Sequence, residues 1–198
     1  MNSESLAASL ILASSSKYRK LLLSRFGIPF ECCSPDIDES AGVAEAPIDL
    51  VARLASEKAR TVSHSNRRAV VIGSDQVAVF KGRIIGKPGN HDTAARQLSS
   101  FSGEVVEFLT AVSVQCLDKG FTELHVDTTR VCFRVLDAAE IERYLETEQP
   151  YDCAGAFKAE SLGIVLFERI TSEDPTALIG LPLIRTAAML RRAGLQLP

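Results

Sequence analysis

"VVIGSDQVAVFKGRIIGKP", residues 70–88, carries the signals that decide the fold. Val70, Val71 and Ile72 open an apolar strand expected over 69–74, and Val77–Phe80 with Arg83–Ile85 flank Lys81-Gly82 as a hairpin. Asp75 stands where the first strand is expected to end. Asp is common in turns for local hydrogen-bonding reasons, so its position alone does not separate a turn residue from a reactive carboxylate. Upstream, Leu10–Ala13 reads as a strand, Ser14-Ser15-Ser16 as a cap, and 17–26 as a helix closed by Gly27. Pro47 opens a second helix running to about Ser63. Downstream, Asp92 is the expected cap of a helix ending near Gly103, and 105–117 and 121–135 form a long hairpin around Asp118-Lys119-Gly120. Asp137 and Glu140 start a helix that stops before Pro150; a strand over 164–170 and a helix over 183–193 complete the chain. Helices alternate with strands while hairpins interrupt the βαβ rhythm. The expected class is therefore α/β with a mixed sheet and flanking helices.

Composition limits what such a chain can do. With 198 residues, 46% of them hydrophobic, it can bury one core or two lobes sharing a cleft, and it shows no repeat, low-complexity tract or linker. A net charge of −3 disfavours broad nucleic-acid binding, so a polyanion must be met by a local cluster of Lys and Arg. The apolar stretch 6–13 is too short to span a bilayer and residues 1–5 lack the basic region of a signal peptide, which points to the cytoplasm and to no membrane partner. Five cysteines, without a C-x-x-C, read as reduced and mostly packed thiols.

Several places concentrate charge. In "LILASSSKYRK" the hydroxyls of Ser14 and Ser16 end a strand and open a helix whose first turn bears Lys17, Arg19 and Lys20. Three cations there oppose the helix dipole unless an anion neutralises them, so this is a candidate phosphate site. On the second helix, Val51, Leu54, Ala55 and Val62 define the buried stripe, and Lys58 falls at its centre. Such a lysine must snorkel, pair with an acid, or reach a ligand phosphate. "DIDES" (Asp36, Asp38, Glu39), "GKP" (Lys87) and "FKAESLG" (Lys158, Glu160) add carboxylates and cations. Hard carboxylates for a divalent metal and several cations for a polyphosphate suit phosphoryl or nucleotidyl transfer to water.

"LILASSSKYRKLLL", "DIDES", "SEKA", "GSDQV", "GKP", "CAGAFKAESLG" and "DPTALIGLPL" occur in an order and spacing that resembles the Maf family of nucleoside triphosphate pyrophosphatases, over nearly all of the chain beyond residue 9. The residues resemble the branch acting on 7-methyl-GTP, with Tyr18 at the aromatic position, Gln76 after the acid, and Glu160 where the dTTP/UTP branch has Gln. The resemblance implies one domain over 1–198 with residues 1–8 a short extension, and an elongated fold shared with inosine-triphosphate pyrophosphatases, its two lobes enclosing a nucleotide cleft. It implies a house-cleaning hydrolase that releases pyrophosphate. Asp75 is implied to be the proton acceptor that activates water, with Tyr18, Gln76 and Glu160 setting substrate choice. Ser14, Ser16, Arg19, Lys20, Lys58 and Lys87 are implied to bind phosphate, and Glu39 with Asp75 to hold Mg²⁺ or Mn²⁺. Gln76 is open to two roles, meeting the base or positioning the water. A homodimer is left open, and a nucleotide sensor linked to division arrest or a phosphomonoesterase are the alternative classes. Three positions depart from the family pattern: Lys17 for Pro, Lys20 for Arg, and Thr176 for Asn.

Overall fold

The computed structural model describes residues 9–198; the extension assigned to residues 1–8 lies outside the described residues. Its elements are β1 (Leu10–Ala13), α1 (Lys17–Ser24), β2 (Glu31–Cys32), α2 (Pro47–Ser65), β3 (Val70–Phe80), β4 (Arg83–Ile85), α3 (His91–Phe101), β5 (Val105–Cys116), β6 (Phe121–Phe133), α4 (Ala138–Glu148), β7 (Phe167–Thr171) and α5 (Leu183–Arg192). The sheet order is β2-β1-β3-β5-β6-β7, with β4 on the edge of β3. β1 runs parallel to β2 and β3, and every other pairing is antiparallel. This is the mixed α/β sheet expected from the interrupted rhythm.

β3 departs from expectation in a way that matters for function. It is one continuous strand of 11 residues, and Asp75 sits in its middle rather than at an end. The ladder to β5 runs unbroken through Asp75↔Ala111 and Gln76↔Thr110, which holds the backbone extended where a turn was expected. On its other edge β3 is shared. β1 pairs with residues 70–73 and β4 with 78–80, so Ser74–Val77 have no strand beside them. That gap is the floor of the cleft described below.

The period-2 alternation of strands sorts side chains between two faces. Leu10, Leu12, Val70 and Ile72 pack with Leu22 and Leu23 of α1 and Leu190 of α5. Ile11, Ala13 and Val71 face Ala59 and Val62 of α2, and farther along Val79, Leu109 and Ala111 face Val51 and Ala55. Asp75 therefore points toward α2 and Gln76 to the opposite face. Gly73 lets α2 lie this close: a Cβ there would stand 2.2 Å from the Ala55 carbonyl oxygen and 2.6 Å from the Ala59 nitrogen. A second lobe forms where Leu98 and Phe101 of α3 and Ile141 and Leu145 of α4 pack on Phe108, Phe133, Phe157 and Phe167. Phe157 and Phe167 meet edge to face, with ring centroids 4.8 Å apart.

Three smaller expectations are corrected. The strand expected over 164–170 begins only at Phe167, because Leu162–Leu166 coils as a 3₁₀ turn whose Leu162 and Gly163 amides bond Glu148 Oε2 and the Lys158 carbonyl. Asn90 rather than Asp92 caps α3, its side chain accepting from the Thr93 amide at 2.9 Å. All five thiols are free, but only Cys116 is buried, and Cys32 and Cys33 are exposed.

Candidate active site

A cleft of about 860 Å³ opens between the two lobes, bounded by the loop after β1 and the start of α1, by α2, and by the loop following α4. Its two ends differ in charge. At one end Ser16 caps α1, its Oγ accepting from the Arg19 amide at 3.4 Å, and the Ser16 amide donates to Ser14 Oγ at 3.1 Å. The N–H groups of Ser15, Lys17 and Tyr18 have no acceptor among the described residues. Arg19 Nε donates to the Gly180 carbonyl at 2.9 Å, which also accepts from Ser74 Oγ at 3.0 Å. The guanidinium is thus aimed from its root, with Nη1 donating to Ser14 Oγ at 3.5 Å and Nη2 without an acceptor among the described residues. Burial lowers its pKa from the ordinary value, and the charges of Asp75 and Glu39 oppose that shift.

Beside this helix end lie three coupled charges. Lys58 is 6% exposed and Asp75 8%. Lys58 Nζ stands 2.6 Å from Asp75 Oδ1 and 2.6 Å from Glu39 Oε1. Of the three fates open to Lys58, pairing with acids is the one observed. The hydrogen bond from Lys58, against opposing burial, and then the charges of Lys58, Arg19 and Lys87 hold the Glu39 carboxyl below its ordinary pKa. Asp75 lines the cleft, and its Oδ2 receives no hydrogen bond from the described residues. Lys87 lines the same end.

The other end is aromatic and acidic. Tyr18, Asp152, Cys153 and Glu160 line it, together with Lys17 and Lys158. Tyr18 Oη and Cys153 Sγ lie 3.7 Å apart and share a hydrogen bond. Burial, the Cys153 contact and the nearby Asp152 and Glu160 raise the Tyr18 phenol above its ordinary pKa. Burial, together with Asp152, pushes the Cys153 thiol up to about 11, so it stays a thiol at neutral pH.

Two expected site residues stand elsewhere or act otherwise. Lys20 is exposed and outside the cleft lining, because it sits on the outward face of α1. Gln76 lines the cleft, but its Nε2 donates to Thr110 Oγ1 (2.8 Å) and to the Ala177 (3.0 Å) and Leu178 (3.1 Å) carbonyls. Those carbonyls can only accept, which fixes the amide orientation. Gln76 therefore ties the 177–180 turn to β3, and only its oxygen is left for base or water. Within "DPTALIGLPL", Asp174 is buried and accepts from the Thr176 amide and hydroxyl and the Ile184 amide at 2.6–2.9 Å. Thr176, one of the departures, is bonded within this turn.

Sequence reasoning missed Glu148. Its Oε1 takes the Lys158 ammonium at 3.0 Å, and its Oε2 takes Ser161 Oγ (2.8 Å) and the Leu162 amide (2.9 Å). Burial opposes, yet these bonds hold its carboxyl below the ordinary pKa. Lys158 is consumed as an anchor, and the loop bearing Glu160 is held on α4. The missed signal was an acid in the last turn of a helix, where the dipole disfavours one. Asp152 at the acidic end was also missed, and nothing in its spacing marks it.

Fold and site together define a class: mixed α/β proteins with a phosphate-type helix end and a carboxylate–lysine cluster across one cleft. The family model described as Maf-like protein matches residues 9–193, and the chain belongs to the Maf family. It is 50% identical to the 7-methyl-GTP pyrophosphatase of Albidiferax ferrireducens over 194 residues, 98% of each chain. It is 53% identical to the protein of that name from Polaromonas over 188 residues, covering 95% of this chain and 86% of the relative. With that from Xanthomonas axonopodis the identity is 52% over 190 residues, 96% of this chain and 98% of the other. The Ham1 protein of Staphylococcus aureus shares 14% identity at a TM-score of 0.40, covering 63% of this chain and 71% of that one, too remote to carry an argument.

Proposed function

We propose that the chain is a nucleoside triphosphate pyrophosphatase that hydrolyses 7-methyl-GTP to the monophosphate and pyrophosphate. The observation that carries this reading is the polarity of the cleft. Arg19, Lys58, Lys87 and a free helix end gather at one extreme; at the other stand Tyr18, Asp152 and Glu160, with Lys17 paired to Asp152 and Lys158 to Glu148, and Asp75 lies beside the first. A triphosphate suits the first. Methylation at N7 makes guanine cationic, and an aromatic face with carboxylates suits a cation better than a neutral amide would. The names of the relatives support the same substrate.

In this reading Asp75 Oδ2 accepts the proton of a water as its oxygen attacks the α-phosphorus, and Lys58 orients the carboxylate through Oδ1. Arg19, Lys58, Lys87 and the amides after Ser14 neutralise the charge that would repel attack and that grows on the departing pyrophosphate. Ser14 and Ser16 shape the helix end, and Gln76 holds the turn that positions Arg19. Glu39 and Asp75 would hold a hard divalent cation such as Mg²⁺ or Mn²⁺ through the carboxylate oxygens they do not give to Lys58, which takes Oε1 of the one and Oδ1 of the other. Among the described residues no group of three His, Cys, Asp or Glu could hold an ion alone, so such an ion would enter with the triphosphate supplying further oxygens. Bound there, it would withdraw charge from the phosphates. The chain acts as one domain, in the cytoplasm, on nucleotides rather than nucleic acid, clearing a modified nucleotide.

A nucleotide panel with product identification tests this, run on the wild type and on Glu160→Gln. The wild type should prefer 7-methyl-GTP and yield pyrophosphate. Glu160→Gln should lower kcat/KM for 7-methyl-GTP relative to GTP by about tenfold, the low end for a hydrogen bond to a charged group because Glu160 is exposed. Orthophosphate as the only inorganic product would mark a phosphomonoesterase, and binding without turnover a sensor.

A further inference from the structure

The acidic end of the cleft already holds a cation. Lys17 Nζ lies 5.0 Å from the centroid of the Tyr18 ring and 3.6 Å from Asp152 Oδ2. An ammonium between an aromatic face and a carboxylate is the arrangement argued above for a positively charged base. We infer that Lys17 is a tethered competitor of that base: its ammonium fills the aromatic–carboxylate subsite of the free protein, 7-methylguanine displaces it, and Asp152 then becomes a second carboxylate reading the base beside Glu160. The inference rests on the proposed substrate and deepens it.

The parts of this subsite differ in freedom. The Lys17 and Asp152 side chains are 73% and 55% exposed, and Lys17 makes no other ion pair among the described residues, so it can swing out. Tyr18 cannot, because its hydroxyl is held by Cys153. Lys158, the other lysine on this side, is fixed on Glu148 and does not compete. Being the residue next to Tyr18, Lys17 is present at the ring at an effective concentration on the order of millimolar or more, so an incoming cation must outcompete it. Exposed ion pairs and exposed cation–ring contacts are individually weak, which limits the penalty to about two- to tenfold in affinity. The device would temper affinity for the cationic base while shielding the acidic subsite when no substrate is present.

Steady-state kinetics on 7-methyl-GTP and GTP, with calorimetric binding of 7-methyl-GMP, separate the possibilities in Lys17→Met, Asp152→Asn and the double variant. Lys17→Met should lower KM for 7-methyl-GTP and tighten 7-methyl-GMP about two- to tenfold, with kcat and the KM for GTP moving less than twofold. Asp152→Asn should shift preference the opposite way, and Lys17→Met should gain less in that background. A rise in KM for both nucleotides in Lys17→Met would make Lys17 a phosphate ligand and overturn the inference. Unchanged constants for both would overturn it as well, leaving a solvated side chain. A wild type without preference for 7-methyl-GTP would overturn the substrate assignment and this inference with it, whereas a wild-type preference left unaltered by Lys17→Met would overturn the inference alone.

Discussion

Lys58 touches two carboxylates at 2.6 Å, so three charges at the cleft wall compensate one another, two of them on nearly buried side chains. Its place on the apolar stripe of α2 suggests that methionine would be tolerated. The ion pair reverses that expectation. Lys58→Met would leave Asp75, 8% exposed, without its hydrogen-bonded ammonium and with only the Arg19 charge nearby, and removing one partner of a buried pair is costlier than replacing both. Because Glu39 is largely exposed and the cleft admits water, the expected loss is about 1–3 kcal/mol, below the range for a fully buried pair. Denaturant unfolding should show this loss, and Lys58→Met/Asp75→Asn should recover part of it. A Lys58→Met variant as stable as the wild type would mean that the pair contributes nothing to folding.

At the scale of elements, the site depends on how closely α2 lies on β3. Gly73→Ala would place a methyl 2.2 Å from the Ala55 carbonyl and 2.6 Å from the Ala59 amide nitrogen, both backbone atoms that cannot swivel away. We expect a loss of about 2–3 kcal/mol, a Tm lower by roughly 5–10 °C, and reduced turnover as Lys58 is drawn from Asp75. Thermal melts and kinetics on the same preparation check it. The loop bearing Glu39 is tied to α2 by Arg53, which donates to both oxygens of Glu45 (2.8 and 2.9 Å) and to the Ser40 carbonyl (2.9 Å). The hydrogen bond from Arg53 and then that from the Gly42 amide lower the Glu45 pKa from 4.5 to about 2. A carboxyl lowered on folding stabilises fully above its unfolded value and progressively less as pH falls through its folded one. The Arg53–Glu45 tie should therefore hold at pH 6 and weaken between about 4.5 and about 2. Amide hydrogen exchange over residues 39–45, corrected for intrinsic rates, should show extra opening at pH 3 in the wild type and less added by acid in Glu45→Gln, where only Asp38 and Glu39 still lose bonds to this loop. Equal acid-induced opening in both would contradict the tie.

Across the whole molecule, the charge split of the cleft follows from which loops the two lobes bring together. Much of this was legible locally. Leu10–Ala13 with its serine cap, the Lys58 stripe and the 105–133 hairpin rest on periodicity and capping, which short windows carry. The continuity of β3 was not, because the ladder to β5 that overrides the turn signal at Asp75 is a long-range pairing. Nor was the partner of Lys58: its position announced an unusual environment, but only the fold brings Glu39 and Asp75 to it from 19 residues before and 17 after in sequence. Gln76 and Glu148 illustrate the same limit, since their partners lie in a turn and a loop whose placement no local pattern encodes.

Hydrolysis of 7-methyl-GTP in ¹⁸O-enriched water reports whether Asp75 directs water to the α-phosphorus. Mass spectrometry should find the label in 7-methyl-GMP and none in pyrophosphate. Asp75→Asn should give no turnover while binding nucleotide within about tenfold of the wild type, since the amide keeps the shape but cannot accept the proton. Label in pyrophosphate or orthophosphate, or near-normal turnover in Asp75→Asn, would mean that Asp75 does not direct water to the α-phosphorus.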